Sequence, residues 1–133
     1  MEHESINVTA EKLLRDLMDK IGASDIVLTT DEGLPCCSVH EHKGSINVEG
    51  TAALLIDTIK SISSLLTLQS MEDDDTFRHM NIRTEQGSLL IARSEHFTMA
   101  LKFVGQRAKK AGLAVQPAKK TLEQVEDLFR IFF

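Results

Sequence analysis

The sequence predicts an α/β layered domain with a mostly antiparallel five-stranded sheet. Three observations predict it: a strand, turn and strand pattern near residue 30, three further strand-like runs after residue 75, and apolar stripes of helical period around them. The element order is helix, two strands, helix, three strands and helix, which favours one sheet covered by helices. We expect residues 1–133 to form a single domain, with residues 105–133 as a basic connector and C-terminal helix.

The N-terminal part predicts a helix followed by a hairpin. Apolar residues share one helical stripe over residues 9–21, and Gly22 can end that helix in the left-handed conformation. The runs "SDIVLTT" and "PCCSVH" then read as strands joined by "DEGL", in which Gly33 can supply a positive φ. Pro35 lacks an N–H group, so it must open the second strand or face an edge.

The longest predicted helix covers residues 47–68. Its opposite flank carries small hydroxyl residues, among them Thr58, Ser61 and Ser64, where a plain surface helix would carry Lys and Glu. Small side chains allow another helix to approach closely, so a dimer contact and a sparse polar surface are both open. The apolar stripe at helical spacing consists of Ala52, Leu55, Ile56, Ile59, Ile62 and Leu66.

The C-terminal half predicts a three-stranded meander and a last helix. The strands are residues 76–84, 88–93 and 96–104, and strict alternation in the third predicts one buried face and one partly buried face. The four-acid run after Met71 is typical of a solvated loop. In "TLEQVEDLFRIFF", Thr121 and Gln124 form a capping-box pattern, which predicts a helix starting there.

Charge and hydropathy restrict the classes of partner. The net charge of -5 hides a segment, residues 102–120, with six basic and no acidic residues, which could meet an acidic partner but is more often a solvated face. Its one aromatic residue is Phe103, so nucleic acid is not an expected partner. No apolar run approaches the roughly 18 to 20 residues of a membrane span, so we expect no membrane insertion and a cytoplasmic location.

The adjacent cysteines Cys36 and Cys37 raise the question of a metal, redox or nucleophilic site. A bridge between neighbours closes no useful loop, and neighbours in a strand point to opposite faces, so they cannot share one ion without distortion. Cys36 could share a face with His40 and His42, and a nucleophilic Cys36 could use His40 or His96, but no oxyanion hole is evident. We expect structural cysteines, and no catalytic, cofactor or metal residues.

Two segments resemble Roadblock / dynein-light-chain-type domains. Residues 12–39, "KLLRDLMDKIGASDIVLTTDEGLPCCSV", have the Leu-rich helix, the Gly, the apolar strand and the turn from Asp31 through Gly33 to Pro35. Residues 77–103, "FRHMNIRTEQGSLLIARSEHFTMALKF", resemble the second signature of the family. The resemblance covers about residues 9–104 and implies a three-layer, profilin-like sandwich.

The resemblance implies a non-enzymatic, dimeric interaction module that acts as a scaffold or regulator of a small Ras-like GTPase. The alternative is a ligand-sensing profilin-like domain, or an adaptor subunit of dynein or a membrane complex. The expected partners are a second Roadblock-like chain, in a homodimer or heterodimer, and the GTPase. In dimers of the family the third strands pair across the two-fold axis and the long helices lie side by side. For this chain the resemblance implies that residues 76–84 form the pairing strand and that the long helix presents Thr58, Ser61 and Leu65.

The predicted pairing strand carries Arg78, His79, Met80 and Ile82. If this strand is a free edge, its charged residues discourage pairing with other chains. If it is instead a dimer seam, Met80 and Ile82 would pack beside the seam and His79 would make dimerisation pH-sensitive. The chain departs from the family after the fifth strand. Residues 105–116 intervene before the last helix, which the family usually enters at once.

Overall fold

The computed structural model describes residues 2–44, 46–69 and 78–132, and places an antiparallel five-stranded sheet between helices. The strand order across the sheet is β2-β1-β5-β4-β3, so β2 and β3 are its edges. The predicted fold class, hairpin and meander are all confirmed. The strands are β1 (Asp25–Thr30), β2 (Pro35–His40), β3 (His79–Arg83), β4 (Gly87–Arg93) and β5 (Phe97–Val104).

The helices include one long 3₁₀ segment. Asn47 caps α2, because its side-chain oxygen accepts a hydrogen bond of 2.8 Å from the Gly50 N–H group. Gly22 ends α1 with a φ of 77°, as its position predicts. The helices are α1 (Glu2–Ile21), α2 (Val48–Leu68) and α3 (Val115–Leu128), with the 3₁₀ segment at Gly105–Ala114 and a short 3₁₀ turn at Arg130–Phe132.

One face of the sheet is covered by α1, α3 and the 3₁₀ segment, and it holds the main core. Leu14 of α1, Phe103 of β5 and Leu122 of α3 are almost completely buried in one cluster. Strand alternation places Phe97, Met99, Leu101 and Phe103 on this side, so the sequence pattern located the core correctly.

Among the described elements, α2 alone covers the opposite face. Leu55 packs with Ile91 and Ala100 in a second, smaller cluster. Thr98 and Ala100, on the face of β5 that alternation predicted to be only partly buried, are in fact buried. The reason is that a helix crosses this face, which the alternation of a single strand does not reveal.

The C-terminal helix begins at Val115, so the predicted capping box at Thr121 is wrong. Thr121 is buried within the helix rather than capping it. Pro117 lies in the first helical turn, where a missing N–H group costs nothing. Before it, buried Ala108, Ala111 and Ala114 recur every three residues, which is the 3₁₀ period and hides the segment from a search for 3.6-residue spacing.

Two predicted features fall outside the described residues. The acidic run at residues 72–75 is one, and residues 76 and 77 of the predicted third strand are the other. The part of that strand that is described, β3, begins at His79 and is five residues long.

Candidate partner-binding surface

The turn between β1 and β2 supports α2. Gly33 has a φ of 89°, and a Cβ atom there would lie 3.2 Å from the Cβ atom of Ile56, so glycine fits both the conformation and the close approach of α2. The N–H group of Asp31 donates to the carbonyl of His96 at 2.9 Å, which ties this turn to the β4–β5 turn. Pro35 opens β2 on the sheet edge. The structure thus places Asp31 and Gly33 in the turn, with Gly33 against α2, and Pro35 at the start of the next strand.

The outward side of α2 forms a continuous stripe of apolar and small residues. Thr58, Ser61 and Leu65 are joined by Leu54 and Leu68 at intervals of three or four residues, which is the spacing of one helix face. Leu54 is 67% exposed and Leu65 is 50% exposed. The Thr58 hydroxyl donates to the Leu54 carbonyl at 2.7 Å, so it is already satisfied within the helix. We call these five residues the α2 stripe.

Helix α2 is therefore apolar on two opposite sides. Ala52 and Leu55 are its buried residues, and they lie on the side that faces the sheet. Contrary to the expectation from the sequence, α2 is long and apolar enough to cross a membrane by length and composition. A single helix of this kind is weak evidence for a membrane, and this one packs a face on the sheet.

Strand β3 is one of the two edges of the sheet. It pairs with β4 on one side, with Met80 opposite Ile91 and Ile82 opposite Leu89. Met80 packs against the Leu55 cluster, and alternation puts Ile82, which is 40% exposed, on the same face of the sheet. Arg78 and His79 are exposed, and Arg78 immediately precedes the strand. The structure therefore brings Met80 and Ile82 to the α2 side and leaves His79 on the other side.

The cysteines are half-buried and pack against the main core. A register shift between Leu28 and Thr29 lets both Cys36 and Cys37 pack against the main core cluster, which corrects the expectation that Cys36 shares a face with His40. Burial raises the pKa of Cys36 to about 11 and that of Cys37 to about 12, so both are thiols at neutral pH. Among the described residues no group of three or more His, Cys, Asp and Glu could hold a metal.

A hydrogen-bonded chain of Ser38, His40 and Asp25 was not predicted. His40 Nδ1 lies 2.8 Å from Asp25 Oδ1, and His40 Nε2 lies 2.9 Å from Ser38 Oγ. Ser24 Oγ also donates to Asp25 Oδ2 at 3.1 Å. This order of groups resembles a hydrolase triad, but neither Ser38 nor His40 lines any of five clefts found in the described part of the chain. These hydrogen bonds provide partners for the oxygens of the buried Asp25 carboxylate.

The hydrogen-bonded series of Ser38, His40 and Asp25 follows from the register of β1 and β2. Asp25 and His40 are paired residues on β1 and β2, and Ser38 lies two residues before His40 on the same face. The sequence contains the Ser-x-His pattern of Ser38 and His40, but only the register of the two strands shows that Asp25 lies opposite His40.

Glu126 of α3 is bonded to the β4–β5 turn. Its Oε1 atom accepts hydrogen bonds from Ser94 Oγ and from the His96 N–H group, both at 2.7 Å, and its Oε2 atom lies 2.8 Å from His96 Nδ1. The hydrogen bond to Glu126 raises the pKa of His96. Partial burial acts to raise the pKa of Glu126, but the hydrogen bonds from His96 and Ser94 outweigh it and the pKa is lowered.

Comparison with known proteins gives structural relatives only. No family model and no curated protein sequence matches the chain. An MglB with a tetrameric arrangement has a TM-score of 0.77 at 17% identity, over 92% of this chain and 89% of that chain. MglB of Myxococcus xanthus has a TM-score of 0.72 at 16% identity, over 92% of this chain and 95% of that chain. A Roadblock/LC7 domain from Streptomyces avermitilis has a TM-score of 0.52 at 14% identity, over 76% and 86% of the two chains.

The antiparallel sheet between two helical layers is therefore a Roadblock-type fold, as the two sequence segments predict. Within that class the MglB structures extend over most of this chain, including residues beyond the predicted range of 9–104. Because the sequence identities are below 20%, the likeness to these structures establishes the fold alone.

Proposed function

We propose that this protein is a non-enzymatic, dimeric interaction module that serves a small Ras-like GTPase in the cytoplasm as a scaffold or regulator of its GTPase activity. The observation that carries the proposal is helix α2, which is apolar on two opposite sides and lies on a Roadblock-type fold. Its sheet-facing side packs within the chain, and the described part of the chain leaves its outward side uncovered.

The α2 stripe supports a helix-to-helix contact with a second Roadblock-like chain. Leu54, Leu65 and Leu68 supply apolar area that is removed from water on association, and each fully buried Leu contributes about 1.5 to 3 kcal/mol. Thr58 and Ser61 lie between them, and their small side chains let two helices approach closely. A second copy of the same stripe would satisfy both requirements in an isologous contact.

The edge strand β3 supports the same arrangement. An exposed edge presents a row of unpaired backbone groups, which natural proteins pair, cover or protect. Because Ile82 and Met80 lie on the α2 side, pairing of two β3 strands would extend the sheet and place the two α2 helices on one side of it. Arg78 and His79 would then lie at the seam between the two chains. This is the strand that the family resemblance implies as the pairing strand.

The dimer is tested by mass in solution. We expect light scattering on the wild-type protein to give the mass of a dimer, and Leu54→Asp or Leu65→Asp to give the mass of a monomer, because a carboxylate would be buried in the contact. Val8→Asp is the matched control, since Val8 on α1 and Leu54 are both 67% exposed. A dimer that persists in both α2 variants, or a wild-type monomer, would contradict the proposal.

The GTPase is tested by affinity capture from source lysate, once with a non-hydrolysable GTP analogue and once with GDP. Nucleotide-dependent recovery of a Ras-like GTPase by the wild type and the Val8→Asp variant, with reduced recovery by Leu65→Asp, is the expected result. Recovery of no GTPase in either state would move the function to an adaptor or a sensor and leave the dimer measurement unaffected.

A further inference from the structure

The outer surface of the α1 and α3 layer contains a groove lined by lysines. Three adjoining clefts share Lys20 and Pro117, and the one between α1 and α3 has a volume of about 240 Å³. Lys20 comes from the last turn of α1, Lys110 from the 3₁₀ segment, and Lys119 and Lys120 from α3. We call these four lysines, together with Ile21, Leu113 and Pro117, the basic groove.

The lining of the basic groove, as described, carries more lysines than acids. Within the described part of the chain none of the four forms an ion pair, whereas Arg107 of the same basic segment is bonded to Glu41 at 2.7 Å. The acids that line the clefts are Asp16 and Glu123, so the lining keeps an excess of positive charge. A set of free cations in a concave surface attracts an anionic segment.

The groove also has an apolar component. Leu113 is 80% exposed beside Ile21 and Pro117, in the cleft that Lys110 lines. A ligand that matches the groove would therefore carry acids next to apolar side chains. Residues 70–77 of this chain, "SMEDDDTF", have that composition, with four consecutive acids between Met71 and Phe77.

We propose that the basic groove binds the acidic segment, residues 70–77, of a second copy of this chain. The contact joins two different surfaces, so it is heterologous and builds assemblies larger than the α2 dimer. It does not depend on the proposed function, because none of its residues belongs to the α2 stripe or to β3.

The segment cannot reach the groove of its own chain. It is held at Gln69, after α2, and at Arg78, before β3, so eight residues can loop out by only half their length, about 14 Å. The groove lies beyond the sheet, on the outside of a helical layer about 15 Å away. Lys20 precedes β1, which is three strands from β3 and adds about 14 Å sideways.

The first test is mass as a function of salt. In about 20 mM NaCl we expect light scattering to give a mass above that measured in about 500 mM NaCl, rising with protein concentration, because salt screens exposed charges. The high-salt mass reports the α2 dimer alone, so failure of the two proposals is distinguishable. A mass that is independent of salt over this range would overturn the basic groove proposal.

Charge exchange tests the residues. Lys119→Glu with Lys120→Glu, and separately Asp73→Lys with Asp74→Lys, should each abolish the low-salt increase, and the combined variant should restore it. Lys43→Glu is the matched control for Lys120→Glu, since both lysines are exposed and Lys43 lies outside the groove. An increase that survives the lysine reversals, or a combined variant that stays at the high-salt mass, would overturn the proposal.

A labelled synthetic peptide of residues 69–78 tests the groove directly by fluorescence anisotropy. We expect binding in low salt that Lys120→Glu weakens about tenfold or more and Lys43→Glu leaves unchanged, because attraction becomes repulsion at the reversed charge. Equal binding of a peptide with Asn in place of every Asp and Gln in place of Glu72 would overturn the proposal. Binding of anionic vesicles without binding of the peptide would instead assign the groove to a membrane surface.

Discussion

The helical layers on the two sides of the sheet differ in how much of their apolar surface is buried within the described part of the chain. On one side of the sheet, α1, α3 and the 3₁₀ segment enclose a large cluster in which Leu14, Phe103 and Leu122 are almost fully buried. On the other side, α2 buries Ala52 and Leu55 and leaves Leu54, Leu65 and Leu68 facing solvent.

This difference separates the part of the molecule that stabilises the fold from the part that the proposed dimer would use. The enclosed layer has the packing of a protein interior, where removal of a side chain leaves a cavity. The open layer keeps apolar surface that the described part of the chain does not bury, and the proposed dimer contact would cover it.

The largest expected effect comes from the enclosed layer. Phe103→Ala should lower the free energy of unfolding by about 3 to 5 kcal/mol, because Phe103 is completely buried and its removal leaves a cavity. Leu65→Ala, on the α2 stripe, should change the stability of the monomer by less than about 0.5 kcal/mol. Urea unfolding at several protein concentrations measures both, and comparable losses in the two monomers would refute the contrast between layers.

A smaller effect is expected beneath α2, at the Ser38, His40 and Asp25 chain. His40→Ala should destabilise the protein by about 1 to 3 kcal/mol, because it removes a 2.8 Å partner from the buried Asp25 carboxylate. Ser38→Ala is the control and should cost about 1 kcal/mol at most, since Ser38 contacts the His40 ring rather than the carboxylate. Equal losses in both variants, measured by urea unfolding, would contradict this order of importance.

The cap of α2 should have an effect of about 1 kcal/mol. Asn47→Ala removes the oxygen that accepts from the Gly50 N–H group at 2.8 Å, and loss of an N-cap costs about 0.5 to 2 kcal/mol. Asn47→Asp keeps an acceptor at this position and should retain most of the stability. Thermal unfolding followed by circular dichroism compares the two, and an Asp variant as unstable as the Ala variant would show that the cap is not the cause.

The smallest effect should appear in the pH dependence of the enclosed layer. The raised pKa of His96 adds stability below about pH 6.5, the ordinary value for histidine, and this contribution is lost as pH rises through the pKa of the folded state. The lowered pKa of Glu126 adds stability above about pH 4.5, which is lost as pH falls through its folded-state pKa. The pair therefore contributes most between about pH 4.5 and 6.5.

Glu126→Gln should remove this dependence. The melting temperature of the wild type should exceed that of the variant by a few degrees near pH 5.5, and the gap should narrow toward pH 8 as the charge on His96 is lost. Glu123→Gln, at an exposed position on the same helix, is the control for loss of one charge. A gap that is constant from pH 5.5 to 8 would mean that the charge on His96 is not involved.

The sequence predicted those elements whose signals are local. Gly22 and Gly33 have the positive φ values that their positions require, Pro35 opens an edge strand, and α2 covers Val48–Leu68 within the predicted range of 47–68. The start of the last helix at Thr121 was predicted wrongly, because buried alanines at a spacing of three residues carry neither an α-helical nor a strand period.

The candidate site was predicted only in part. Thr58 and Ser61 stand out in the sequence because small hydroxyl residues occupy a flank where a surface helix would carry Lys and Glu, and the family resemblance adds Leu65. The structure places all three on one stripe of α2, with Ser61 and Leu65 exposed and Thr58 half-buried. Their role in a dimer remains a prediction. The addition of Leu54 and Leu68 needed the observation that these leucines face away from the sheet.

The sequence by itself determined the order of the main helices and strands, the hairpin turn and the core residues that α1 and β5 contribute, since period, glycine conformation and proline geometry act within a few residues. The tertiary structure decided three other features: that both cysteines pack into the core, that His40 pairs with Asp25, and that the lysines of α1, the 3₁₀ segment and α3 line one groove. Each of these depends on strand register or helix packing between residues far apart in the chain, which local patterns do not encode.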